Sequence, residues 1–98
     1  MPYRIEISPE ARDHLRTLTA RQRDMLLDEV QRQLTQEPIV PTRNRKRMRP
    51  NDLATWELRA GDLRAYYDVL EARTLVRVLA VGVKLRNRVR IGREVIDL

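Results

Sequence analysis

Leu75-Val76-Arg77-Val78-Leu79-Ala80-Val81-Gly82-Val83 is apolar at both parities over most of its length. Successive side chains of a strand point to opposite faces, so a strand of this composition needs cover on both sides. The run marks a central strand, and the rest of the chain must supply the layers around it. Gly82, near its end, marks a bulge or a close approach of backbone or ligand.

The stretch from Trp56 to Val69 reads as two strands joined by a tight turn at Gly61-Asp62, where glycine supplies the positive φ that hairpin turns need. Leu58, Leu63, Ala65, Tyr67 and Val69 are its core-face candidates, with Trp56 packing at the strand entrance. Period-2 alternation puts Arg59 and Arg64 on the same exposed surface near the turn, and Tyr66 on the Arg64 face. Glu71-Ala72-Arg73-Thr74 is a second turn. These segments predict a three-stranded antiparallel meander.

Tyr3, Ile5 and Ile7 alternate with Arg4 and Glu6, a half-buried first strand. Ser8-Pro9-Glu10 opens a helix: serine caps, proline suits the first position, and the acid complements the positive end of the dipole. Ala11, Leu15 and Leu18 form its apolar face. Thr19-Ala20-Arg21-Gln22 fits a capping box for a second helix, with Leu26, Leu27, Val30 and Leu34 as its buried stripe. The short connection folds the two helices back as a hairpin. His14, the one histidine, is read as structural or exposed, not catalytic. Pro38, Pro41 and Pro50 predict an irregular loop from about Glu37 to Ala54, with Met48 and Leu53 pinning it to the core and its charges projecting outward. After the central strand, Val89, Ile91, Val95, Ile96 and Leu98 pack back onto the domain. If the strand persists past Gly82, then Lys84, Arg86, Arg88 and Arg90 line one face as a row of cations. The expected fold is one α+β domain over residues 1–98, with a helical hairpin packed on one face of a small, mainly antiparallel sheet.

The net charge of +6 is unevenly spread. Arg43, Arg45, Lys46, Arg47 and Arg49 form one acid-free run; Lys84, Arg86, Arg88, Arg90 and Arg93 form another. Together they hold ten of the 20 basic residues; the remaining ten face all 14 acids, which leaves the rest of the chain at −4. Positive charge gathered on both sides of one hairpin suits a phosphate backbone. The absence of cysteine removes disulfides and thiolate metal sites. Without a signal-like or membrane-spanning apolar stretch, a soluble cytoplasmic protein is expected.

With Ile5-Glu6-Ile7-Ser8-Pro9-Glu10-Ala11 at the start, the Trp56–Val69 hairpin with its Gly-x-x-Arg, and Leu79-Ala80-Val81-Gly82-Val83-Lys84 near the end, the chain resembles the RelE/ParE toxin superfamily of bacterial type II toxin–antitoxin systems. Thr42-Arg43-Asn44-Arg45-Lys46 and Arg49-Pro50-Asn51 look like one branch of it. The resemblance implies a RelE-like fold and one of two activities. RelE-like members cut mRNA in the ribosomal A site without a metal, by attack of the 2′-OH on the adjacent phosphate; ParE-like members poison DNA gyrase and need no nuclease site. It also implies neutralisation by a cognate antitoxin, and binding to operator DNA only as the toxin–antitoxin pair. Carried over by position, the RelE-like site falls on Arg59, Arg64 and Lys84, with Arg86 next. One basic position of the family falls on Glu57, and the tyrosine of some members falls on Arg90.

No grouping of carboxylates and histidines suits a metal, so no metal or other cofactor is expected. Arginine holds phosphate oxygens through its planar fork and stays protonated, so Arg59, Arg64 and Arg90 suit a pentacovalent phosphorane. A proton acceptor is harder to find; Lys84, Lys46, Glu57 and substrate positioning alone are the candidates. The expected catalytic set is Arg59, Arg64, Lys84, Arg86 and Arg90. Arg43, Arg45, Lys46, Arg47 and Arg49 are the expected RNA contacts, with Tyr66 either stacking on a base, covering the sheet or meeting the antitoxin. The leading expectation is a ribosome-dependent mRNA endonuclease; the alternatives are a gyrase inhibitor and a degenerate toxin acting as a binding module.

Overall fold

A computed structural model describes residues 2–97. Its elements run β1 (Arg4–Ile7), α1 (Pro9–Leu15), α2 (Ala20–Leu34), β2 (Arg45–Arg47), β3 (Trp56–Ala60), β4 (Leu63–Leu70), a 3-10 turn (Glu71–Arg73), β5 (Leu75–Lys84), β6 (Val89–Ile91) and β7 (Glu94–Ile96). Both helix starts form as their sequences dictate. The Ser8 hydroxyl accepts from the Ala11 N–H at 3.0 Å, with Pro9 in the first turn. Thr19 and Gln22 exchange bonds of 3.0 and 3.1 Å in a reciprocal capping box. No helix among the described residues is long and apolar enough to cross a membrane.

The sheet runs β2-β3-β4-β5-β6-β7, and β1 pairs in parallel with the first half of β5. The antiparallel meander of β3, β4 and β5 is its centre, and Gly61 turns the first hairpin at φ +61°. A register shift at Tyr66/Tyr67 leaves Leu79 of β5 unpaired with β4. That extra residue switches the parity of β5, so that Val81 joins Val76 and Val78 in the helix-side core.

The helices cover one face. Ala11, Leu15, Leu18, Leu26, Val30 and Leu34 pack on Trp56, Leu58, Leu63, Ala65, Tyr67 and the β5 valines. Trp56 stacks on Tyr67 at 6.1 Å between centroids. The second face carries a smaller cluster: Tyr66, Ala80, Val89 and Ile91, capped by Met48, Leu53 and Ala54 of the loop after β2. β5 is thus covered on both sides.

Two expectations are corrected. The proline-bounded loop contains a strand: β2 pairs with β3 (Arg45 opposite Leu58, Lys46 opposite Glu57, Arg47 opposite Trp56), and the prolines bracket it without interrupting the ladder. The tail does not prolong β5. The chain turns at residues 85–88, where the Leu85 N–H donates to the Arg88 carbonyl, and returns as β6 and β7. Arg90 then lies opposite Val83, on the face away from Lys84, so the row of four cations does not form. Leu98 lies outside the described residues.

Candidate nucleic-acid interface

Directly opposed residues of neighbouring strands share a face. Lys46, Glu57, Tyr66 and Ala80 are opposed in sequence across β2, β3, β4 and β5. One step towards the Gly61 turn, Arg59, Arg64, Gly82 and Ile91 form the next row, and one step further Lys84 faces Val89. Lys46, Glu57, Arg59, Arg64, Tyr66 and Lys84 therefore occupy one face, the one away from the helices. The Lys84 N–H donates to the Asp62 carbonyl at 2.6 Å, which ties the end of β5 to the hairpin turn. Arg86 is exposed in the turn just beyond.

Arg59 and Arg64 sit directly opposite, an arrangement that costs stability unless each charge is engaged elsewhere. Both are. Arg59 Nε donates to Glu57 Oε1 at 2.8 Å, and Arg64 Nη1 donates to the Gly61 and Leu63 carbonyls at 2.6 and 2.9 Å. The expectation that both arginines are exposed fails at Arg64, which is buried because its guanidinium turns back onto those two carbonyls, while the Arg59 side chain is 39% exposed against 12% for Glu57. Of the two readings of Glu57, base or ion-pair partner, the ion pair is present.

Tyr66 is fully buried, and its hydroxyl has no hydrogen-bond partner of acceptable geometry. Burial, then the adjacent Glu57 carboxylate, raises its pKa, against the opposing pull of Arg64 and Arg59. As folded it covers the sheet, one of its three expected roles, and offers no ring face for a base. Tyr67, on the helix side, donates to the Pro38 carbonyl at 2.7 Å, and burial raises its pKa too.

Of the basic loop, Arg43, Lys46, Arg47 and Arg49 are exposed. Arg45 is not: its guanidinium donates to the Val40 and Gln33 carbonyls, both at 3.0 Å, and fastens the loop to the end of α2. The expectation that all five charges project outward fails at this position. Arg90 donates to the Gly92 carbonyl at 2.6 Å, holding the last turn. Gly82 meets a close approach of protein: a Cβ there would lie 2.6 Å from the Arg90 carbonyl oxygen and 2.8 Å from Val89.

Asn51 organises the cover of this face, and sequence reasoning gives it no role of its own. Its side chain donates to the Arg49 and Ala54 carbonyls and accepts from the Leu53 and Ala54 N–H groups. The signal was present in Pro50-Asn51-Asp52, an Asx-turn composition.

No protein-family model and no curated protein matches the chain. A solved structure does. A chain of the RelBE2 toxin–antitoxin complex from Mycobacterium tuberculosis is similar at 26% sequence identity and a TM-score of 0.75, over 86% of this chain and 93% of that one. The resemblance to RelE-type toxins carried by the sequence thus extends to the fold.

Proposed function

We propose that the chain is the toxin of a type II toxin–antitoxin pair and that it cleaves mRNA on the ribosome. The observation that carries this reading is the single sheet face bearing Lys46, Glu57, Arg59, Arg64 and Lys84, on a fold similar to a RelE-type toxin. Arg59, Arg64 and Lys84 hold the scissile phosphate, with Arg86 beside them. The 2′-oxygen bonds to phosphorus, the bond to the 5′-oxygen breaks, and the products are a 2′,3′-cyclic phosphate and a 5′-hydroxyl. One proton leaves the 2′-OH and one is delivered to the 5′-oxygen. Glu57, Lys46 and Lys84 are the proton-carrying groups on that face; Arg90, turned away, is not part of it. Modest acid–base equipment suits an enzyme whose substrate is oriented by the ribosome. The exposed Arg43, Lys46, Arg47 and Arg49 contact RNA phosphates independently of sequence. The partner is an antitoxin with an acidic or amphipathic segment.

The test is primer extension on an mRNA in a purified translation system, with wild type and Arg64→Ala. New stops within codons, present only with ribosomes and lost in the variant, are the expected result. An unchanged pattern with normal translation favours a second reading, a non-enzymatic gyrase inhibitor of the ParE kind. What speaks for that reading is the engagement of Arg59 and Arg64 within the protein, together with the burial of Tyr66.

A further inference from the structure

The Glu57–Arg59 contact is unusual for its surroundings. Glu57 is the one acid among the polar residues that the register groups at the Gly61 end of this face; Asp68 and Glu6, farther along it, both lie opposite Arg77. Its side chain is 12% exposed, so its charge is largely removed from water and depends on neighbours. Those neighbours are the groups that a phosphate would seek. Arg59 Nε is 2.8 Å away, Lys46 is the opposed residue on β2, and Tyr66 is the opposed residue on β4. The buried Tyr66 hydroxyl, a donor without a well-placed acceptor, lies beside the same carboxylate, which joins burial in raising its pKa, and so borders the space that Glu57 fills.

We propose that the Glu57 carboxylate is a resident stand-in for a phosphate: it occupies the anion site formed by Arg59 and the Tyr66 hydroxyl and must be displaced before an RNA phosphate binds there. The inference rests on the reading of this face as a phosphate-binding surface and adds an internal competitor to it. In the free protein the competitor neutralises Arg59. On binding, the phosphate takes over the Arg59 fork and offers the Tyr66 hydroxyl an acceptor, while Glu57 swings toward Lys46. A single phosphate therefore gains less from Arg59 than from a free arginine, and tight engagement needs the additional contacts of a longer polyanion.

The probe is a short single-stranded 2′-O-methyl RNA, which lacks the attacking hydroxyl and stays uncut. Its binding to the full chain is followed by fluorescence anisotropy. Glu57→Gln keeps the shape of the side chain and removes its charge, and is expected to bind about tenfold more tightly than wild type at low salt. In an Arg59→Ala background the same change is expected to bring little gain, because the contested contact is gone. Unchanged or weaker binding by Glu57→Gln overturns the proposal. So does a gain that persists undiminished without Arg59, since that would be a general charge effect. Wild-type protein supplies a readout that needs no variant to fold: titration with the probe should move the Arg59 Nε–H resonance, and a resonance that stays fixed through saturation overturns the proposal. The functional reading fails separately, if mRNA in the translation system stays uncut.

Discussion

The backbone N–H of Val81 donates to His14 Nδ1 at 3.2 Å, across 67 residues of sequence. The bond sits where the parallel pairing of β5 with β1 has ended, at Val78, and the antiparallel pairing with β6 begins, at Gly82. Only a neutral imidazole accepts there, with its proton on Nε2. Burial lowers the His14 pKa, against the upward pull of Asp13, Glu10 and Glu94. The unfolded chain takes up this proton near pH 6.5, before the folded chain does. The contribution of His14 is thus complete above that pH and is lost as pH falls through it towards the lower folded value. Urea unfolding from about pH 8 to about pH 5 should show falling stability on the acid side, less so in His14→Phe. That variant leaves the Val81 donor unpaired and should cost roughly 1–3 kcal/mol at neutral pH.

Gly82→Ala should weaken the C-terminal hairpin. The added methyl group meets a backbone carbonyl at 2.6 Å, which cannot move aside as the end of a flexible side chain would. A cost of about 1–3 kcal/mol is expected. Amide exchange should accelerate first at Val89–Ile91, and exchange that rises evenly over the whole sheet would contradict the local origin.

Arg45 and its neighbours should separate cleanly. Arg45→Gln removes donors to Val40 and Gln33 and should lower stability by about 1–3 kcal/mol. Arg43→Gln and Arg47→Gln should change stability by less than about 0.5 kcal/mol. Each should reduce the salt slope of RNA binding by about one. Thermal melts and binding at several salt concentrations measure both effects.

Asn51→Ala should loosen the loop that covers Tyr66 while leaving the helix-side core intact. Four hydrogen bonds converge on this one side chain, and Met48 and Leu53 depend on the loop for their place over the sheet. Faster exchange of the Leu53, Ala54 and Thr55 amides, without a comparable change in α2, is the expected signature.

The chain announces its local structure openly. The Ser8 and Thr19 caps, the Gly61 turn and the doubly apolar β5 each follow from a few adjacent residues, and each forms as its sequence dictates. What escaped were decisions made by distant partners. β2 exists because β3 has an open edge, and three basic residues between prolines give no local hint of it. The fate of Arg90 turned on one reversal at residues 85–88; parity is a reliable guide only while the strand continues. Arg45 matches its exposed neighbours in type but not in role, since carbonyls of Gln33 and Val40 decide its direction. The tyrosine pair was legible as two residues on opposite faces, while the burial of Tyr66 required the Asn51 loop to be in place above it.

β1 is made before the other six strands described and pairs with β5, far downstream. The seam around it joins the Ser8 hydroxyl to the Leu79 carbonyl and His14 to Val81, over 71 and 67 residues. A nascent chain therefore exposes its two helices long before any sheet exists to shelter their apolar stripes. Lys84, at the far end of β5, joins the face only when most of the chain has been synthesised. Biogenesis itself delays the assembled surface: a truncated copy released early carries the arginines of the hairpin but not the β5 strand that orders them.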